Sequence, residues 1–189
     1  MNETIGVAMC GSFCTFSKVI PQMKELINAG YKVKPIMSEI AYSTDTRFGT
    51  ALDFRREIEE ICGEKIISEI KDAEPIGPKK LLDIMLIVPC TGNTIGKLAN
   101  GIFDSCVTLA AKAHLRNNRP LVIGVSTNDA LGTSAVNIGR LLNNKNIFFI
   151  PMRQDDCINK PNSIVADFEM TVQTVDNAIC GNQLQPIYK

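Results

Sequence analysis

Asp83-Ile84-Met85-Leu86-Ile87-Val88-Pro89-Cys90-Thr91-Gly92-Asn93-Thr94-Ile95-Gly96-Lys97-Leu98-Ala99-Asn100-Gly101-Ile102-Phe103-Asp104 is the stretch that decides the fold. Ile84 to Val88 is a short, continuous apolar run, the pattern of a strand buried on both faces. Pro89 is read as its end, and Cys90 to Asn93 as a small polar turn. Ile95, Leu98 and Ile102 then recur at helical spacing. A strand, a turn of small residues and a helix N-terminus, in that order, make a corner that binds anions or nucleotides. The first amides of that helix, at Asn93 and Thr94, have no acceptor within it and are free for a ligand. The alternative is an ordinary strand-to-helix turn capped by Thr91 or Asn93.

Outward from this corner the pattern repeats. Thr4 to Met9 reads as the first strand, followed by Gly11, Ser12 and Phe13 and then a helix reaching Ala29, with Gly30 as its cap. Pro21 fits only near the start of that helix or at a kink. Tyr31 to Met37 reads as a strand with Ser38 and Glu39 at its carboxyl end, and Ala51 to Cys62 as a helix closed by Gly63. Leu52, Ile58 and Ile61 would be its inner face. Lys71 to Lys80 reads as a surface loop. Val107 to Leu115 continues the helical pattern. Leu121 to Val125 is another buried strand, followed by Ser126, Thr127 and Asn128. Val136 to Leu142 reads as helix, Ile147 to Ile150 as strand, Met152 to Ser163 as a long polar loop, and Val165 to Cys180 as the last helix. The tail, 182–189, is expected to be loose unless a partner holds it.

Strands alternating with helices predict an α/β protein: a Rossmann-like, three-layer, doubly wound parallel sheet in one domain spanning residues 1–189. Four polar turns then fall on one edge of the sheet: Gly11-Ser12, Ser38-Glu39, Thr91 to Thr94, and Ser126 to Asn128. Ligands of open α/β sheets bind at that edge.

Composition narrows the possibilities. The 189 residues are 45% hydrophobic and 21% charged, with 20 basic and 20 acidic side chains. No basic excess is present to hold a phosphate backbone, so nucleic acid is not an expected partner. No apolar run approaches ~18 residues, so no membrane span is expected, and the start of the chain lacks a signal-peptide pattern. A cytoplasmic protein is the reading. Seven scattered cysteines (10, 14, 62, 90, 106, 157, 180) and one histidine, His114, match no metal-ligand spacing, and free thiols are the default.

The turns are rich in hydroxyls, amides and asparagines and poor in fixed positive charge. A phosphate would sit on helix N-termini with hydroxyl donors, and a planar heterocycle would lie against Phe13. The lack of a Gly-x-x-x-x-Gly-Lys-Ser/Thr loop and of the full Gly-x-Gly-x-x-Gly signature favours FMN over ATP or NAD.

The run Pro89-Cys90-Thr91-Gly92-Asn93-Thr94 and the helix after it resemble the Pro-Ala-Ser-Ala-Asn-Thr hallmark of the superfamily of homo-oligomeric flavin-containing cysteine decarboxylases. The resemblance extends over most of the chain, through the loop after the first strand, the central motif, and Val125-Ser126-Thr127-Asn128 where the decarboxylases have Pro-x-Met-Asn. It implies an FMN cofactor and a homo-oligomer. By residue it implies that Gly11, Ser12 and Phe13 lie around the flavin phosphate or ring. Ser38 would contact the phosphate or ribityl chain, Asn93 and Thr94 would form the core of the flavin turn, and Ser126, Thr127 and Asn128 would border the ring.

The departures matter. The superfamily's decarboxylases carry a catalytic histidine upstream of the motif proline; the corresponding position here is Pro75. Their Pro-x-Met-Asn motif keeps only Asn128. Through Gly11 to Phe16, the Pro-Cys-Thr-Gly-Asn-Thr run, Ser126 to Ala130 and Ile150 to Asp156, the chain looks more like a member that serves as one subunit of a two-subunit oxidoreductase of spore formation, whose other subunit resembles an NAD(P)-dependent dehydrogenase. That likeness implies a small dicarboxylate substrate, for which Arg140 and Arg153 are the candidate partners because arginine offers a bidentate fork. The alternatives are a stand-alone FMN-dependent decarboxylase or prenyltransferase, and a non-catalytic scaffold for the dehydrogenase subunit. No catalytic residue and no metal ligand is assigned.

Overall fold

The computed structural model describes residues 3–189. Five strands form a parallel sheet: β1 (Thr4–Met9), β2 (Lys32–Met37), β3 (Ile84–Cys90), β4 (Leu121–Thr127) and β5 (Ile147–Phe149), in the order β2-β1-β3-β4-β5. Its helices lie on both faces. One face carries α4 (Ile70–Ala73), α5 (Gly92–Ala99), α6 (Cys106–Leu115) and α7 (Ala135–Leu142). The other carries α1 (Phe16–Asn28), α3 (Ala51–Cys62) and α8 (Thr171–Ile179). A short α2 (Glu39–Ser43) lies at the end of β2. This is the three-layer, doubly wound arrangement that alternating strands and helices predict.

Strand pleating sorts the core. In β3, Ile84, Leu86 and Val88 face the α1 side, and Met85 and Ile87 face the α6 side; all five are fully buried. Burying such a side chain contributes about 2 kcal/mol. Phe16, Val19, Met23 and Leu26 form the inner stripe of α1. Pro21 lies within this helix, on its exposed side, where the carbonyl that lacks a donor faces water.

Several elements differ from their sequence reading. Pro89 does not end the strand: β3 runs on to Cys90 through a cis Val88–Pro89 bond and a register shift against β4. The helix after it is shorter than the spacing of Ile95, Leu98 and Ile102 suggests. Gly101, at φ +69°, closes it, with the amides of Gly101 and Ile102 returning to the carbonyls of Leu98 and Lys97, so Ile102 lies outside and is largely exposed. Leu52 is likewise exposed, leaving Ile58 as the buried anchor of α3. The expected surface loop at 71–80 is α4 plus one 3-10 turn, and it buries Ala73 and Ile76. Ile67 adds a single parallel bridge to β2 at Ile36.

The largest difference is the stretch read as a loop from Met152 onward. It is an antiparallel hairpin of β6 (Met152–Asp156) and β7 (Lys160–Ala166), and β7 pairs antiparallel with the end of β4 through Ser126–Val165 and Thr127–Ile164. The last helix therefore begins at Thr171 rather than Val165. The residues of the tail are tied to this body. The Ile187 carbonyl accepts from the Met152 amide, the Lys189 amide donates to the Met152 carbonyl, and the Gln183 side chain bonds both the amide and the carbonyl of Phe149.

Candidate functional site

Parallel strands end on one edge, and the backbone ties their turns together. The Ser38 amide donates to the Met9 carbonyl at 2.9 Å, and the Cys10 amide to the Pro89 carbonyl at 3.1 Å. The β1 and β4 turns meet through Ser12 Oγ and Ser126 Oγ, 2.8 Å apart. The β1 and β3 turns meet where Thr94 Oγ1 donates to Cys10 Sγ at 3.2 Å. The four polar turns thus form one connected surface.

The start of α5 is built as a donor cluster. Its first internal bond runs from the Ile95 amide to the Thr91 carbonyl, and Thr91 makes no side-chain cap, so the amides of Gly92, Asn93 and Thr94 have no acceptor in the helix. Asn93 is exposed, whereas Thr94 is buried, its hydroxyl also 3.3 Å from that of Thr91. Gly92 is required by its neighbours. A Cβ there would lie 2.7 Å from Asp129 Oδ1 and 2.8 Å from both Ser134 Oγ and Thr127 Oγ1. Those three residues form their own staple: Thr127 donates to Asp129 at 2.6 Å, and Ser134 Oγ lies 3.0 Å from each carboxylate oxygen.

Among the remaining candidates, Gly11 lies beside Ile40 and Phe13, and the Phe13 ring stands 5.2 Å from that of Phe16. Ser38 Oγ accepts from the Ala41 amide and so caps α2. Asn128 is exposed at the end of β4. Glu39 reaches away from this surface and accepts from the Cys106 amide at 2.9 Å, capping α6. Among the described residues, no Lys or Arg side chain bonds any of the four turns. The donor set is neutral hydroxyls and amides around a helix N-terminus, which suits a phosphate and the polar edge of a heterocycle.

The two arginines are not brought to one place. Arg140 on α7 donates to Asn100 Oδ1 at 2.7 Å, beside the far end of α5; the eight residues of that helix separate it from the donor cluster by roughly 12 Å. Arg153, on β6, is exposed and lines two grooves. One, of about 890 Å³, follows the hairpin with Leu131, Ile158 and Tyr188. The other, of about 430 Å³, lies between the hairpin and α1, with Lys18 and Phe168. Neither groove includes the turn residues.

Four residues of this surface are given a role only by the structure. Cys10 and Ser134 lie outside every stretch that carries a motif, whereas Gly92 and Asp129 lie within such stretches but have no role of their own assigned there. His114 belongs elsewhere. It is buried on α6, its Nε2 donating to the Pro120 carbonyl at 2.9 Å. Burial pushes its pKa down to about 4. Burial also pushes the Cys106 thiol up to about 12 and the Cys90 thiol well above its ordinary value. Hydrogen bonds to Cys90 and to Thr94 hold the Cys10 thiol below its ordinary value, against its burial.

The sequence profile of the flavoprotein family matches residues 1–179. The chain is 50% identical to the B subunit of dipicolinate synthase from Bacillus subtilis (strain 168), over 98% of this chain and 93% of the relative. It superimposes on the crystal structure of the dipicolinate synthase B subunit from Bacillus halodurans with a TM-score of 0.91 at 45% identity, covering 100% of this chain and 98% of the other. The fold is shared more distantly with AnUbiX in complex with FMN and dimethylallyl pyrophosphate, at a TM-score of 0.59, 19% identity, and coverage of 80% and 78%. In fold and along nearly its whole length, therefore, this chain belongs to the flavoprotein family, alongside the B subunits of dipicolinate synthase.

Proposed function

We propose that this chain is the flavin-binding B subunit of a dipicolinate synthase. It acts with an NAD(P)-dependent A subunit, in the cytoplasm of the mother cell of a sporulating bacterium, to oxidise a (hydroxy)tetrahydrodipicolinate to dipicolinate. The observation that carries this reading is the near full-length likeness to B subunits at 50% and 45% identity. The donor surface at the strand ends supports FMN as the cofactor, held in a homo-oligomer. FMN would supply a two-electron acceptor for the aromatising oxidation.

The chain's own groups have definable tasks in this reading. The amides of Gly92, Asn93 and Thr94, with the hydroxyls of Ser12 and Ser38, hold phosphate and ribityl oxygens beside Gly11. Phe13 offers an apolar wall. Ser126, Thr127 and Asn128 bond the polar edge of the ring, and the Asp129 staple keeps that turn against Gly92. Arg153 takes a carboxylate of the dianionic substrate at the hairpin. Arg140, engaged by Asn100, is the weaker partner for it. With His114 in the core, no histidine is available at this edge for decarboxylase chemistry.

The test is FMN titration of the purified chain by quenching of flavin fluorescence, followed by assay with the A subunit and NAD(P). Saturable quenching in the micromolar range and dipicolinate formation only with both subunits are expected. Dipicolinate formation by the A subunit alone at the same rate would overturn the reading, as would decarboxylase turnover by this chain alone.

A further inference from the structure

Three candidates stand out beyond this reading: the two grooves lined by Arg153, the exposed tip of the hairpin at Ile158, and a pair of thiols under the candidate site. The thiols carry the most. β1 and β3 are in regular register as far as Ala8 and Ile87. The Cys10 amide, however, donates to the Pro89 carbonyl rather than to that of Val88, so β3 has slipped by one residue. In a parallel ladder this bond makes Cys10 and Cys90 lateral partners. The slip also changes the face on which Cys90 projects. Ile84, Leu86 and Val88 face the α1 side, and an unbroken alternation would send Cys90 there as well. Instead Cys90 joins Ile87, Ala8 and Cys10 in the core cluster on the α6 side.

Two thiols are therefore side by side on adjacent strands about 4.8 Å apart, within the Cα separation of roughly 4.4–6.8 Å that a disulfide spans. Both are free and fully buried. The pair is also wired to the candidate site. Cys10 Sγ accepts the hydroxyl proton of Thr94, the third residue of α5 and part of the donor cluster. Hydrogen bonding that favours the Cys10 thiolate makes it the attacking sulfur of the two. Cys106, the third buried thiol of the cluster, is turned away and meets the Ile67 carbonyl.

We propose that Cys10 and Cys90 are a redox modification site: they close to a disulfide with a small-molecule disulfide as oxidant, and closure disarms the donor cluster at the start of α5. Because both thiols are buried, exchange follows local opening of the strand ends: Cys10 attacks the small disulfide, displacing one thiol and forming a mixed disulfide. Cys90 then displaces the second thiol and completes the bond to Cys10. One S–S bond and two S–H bonds break and one S–S bond forms; the two electrons and both protons leave on the two small thiols. Bonded to Cys90, Cys10 Sγ moves off Thr94, which leaves that hydroxyl only its 3.3 Å contact with Thr91 and loosens the first turn of α5. The consequence for flavin rests on the proposed function, whereas the closure of the disulfide does not.

The test equilibrates the intact chain with oxidised and reduced glutathione, alkylates free thiols and maps the peptides by mass spectrometry. FMN affinity is measured on the same samples. The expected result is one peptide pair joining Cys10 to Cys90, lighter by two hydrogens and reversed by dithiothreitol, and a roughly tenfold weaker FMN affinity that returns on reduction. Cys90→Ala should abolish both changes. If oxidation joins Cys10 to Cys106, or leaves Cys10 and Cys90 alkylated under conditions that oxidise the exposed Cys14, Cys157 and Cys180, the inference fails. A Cys10–Cys90 bond with unchanged FMN affinity would remove the link to α5. Failure of the reduced chain to bind FMN at all, with the bond still forming, would instead count against the proposed function.

Discussion

Ser12 Oγ and Ser126 Oγ lie 2.8 Å apart although 114 positions separate them in the chain. This contact joins the turn after β1 to the end of β4 across the carboxyl edge of β3. Each hydroxyl has another lone pair or proton free, so the pair holds the edge together while still presenting polar groups outward. We expect Ser12→Ala and Ser126→Ala each to cost about 1 kcal/mol. The double variant should cost less than their sum, by ~0.5 kcal/mol or more. Urea denaturation of the four proteins checks this; strict additivity would mean that the contact carries no coupling.

Gly92→Ala should be damaging out of proportion to one methyl group. Its Cβ would meet three oxygens that are themselves held by mutual hydrogen bonds, so none can retreat without breaking the Asp129 staple. A loss of about 2 kcal/mol is expected, with weakened FMN binding. Gly139→Ala, in the middle of α7 with nothing within 4 Å of a new Cβ, should instead stabilise by roughly 0.5–1 kcal/mol. Thermal melts of the two variants should move in opposite directions.

His114 makes stability depend on pH. Its folded pKa of about 4 lies below the unfolded value of 6.5 because burial excludes the imidazolium. The unfolded state therefore binds the proton first. Stability from this group is full above pH ~6.5, falls as the pH drops from there, and is lost by about pH 4, by roughly 3 kcal/mol. His114→Gln can keep a donor to the Pro120 carbonyl. Its denaturation free energy should fall less between pH 6.5 and 4 than that of the parent chain.

The two arginines should separate in kinetics. Arg153 is exposed at the hairpin grooves, whereas Arg140 is spent on Asn100. With the A subunit present, Arg153→Ala should raise KM for the dicarboxylate about tenfold, the equivalent of ~1.4 kcal/mol. Arg140→Ala should leave KM within twofold. Equal effects would mean that neither arginine is a selective carboxylate partner.

Removing residues 182–189 should destabilise the chain although the segment has no helix and forms only a single bridge. The deletion takes away the Gln183 bonds to Phe149, the tail's backbone bonds to Met152 and the Lys189–Asp167 ion pair. At about 1 kcal/mol per buried hydrogen bond, a loss of ~3 kcal/mol is expected. A melting temperature unchanged by the truncation would show that the tail merely rests on the surface.

The chain's own pattern determined the layered α/β fold, because short continuous apolar runs for strands buried on both faces and a period of 3.6 residues for helices are local signals. Ile84 to Val88, Leu121 to Val125, and the helix from Ala51 to Cys62 are legible for that reason, as is the gathering of polar turns at the ends of parallel strands. The polar hairpin from Met152 to Ala166 is not legible. It is a strand pair because the end of β4 offers it backbone partners, and no apolar alternation announces that. The tail is held by long-range hydrogen bonds of the same kind. Asp129 against Gly92, Glu39 on the start of α6, and Cys10 beside Cys90 likewise depend on register and distance between segments far apart in the chain. Local apolar pattern encodes where strands and helices form, but only the closed tertiary structure decides which side chains meet.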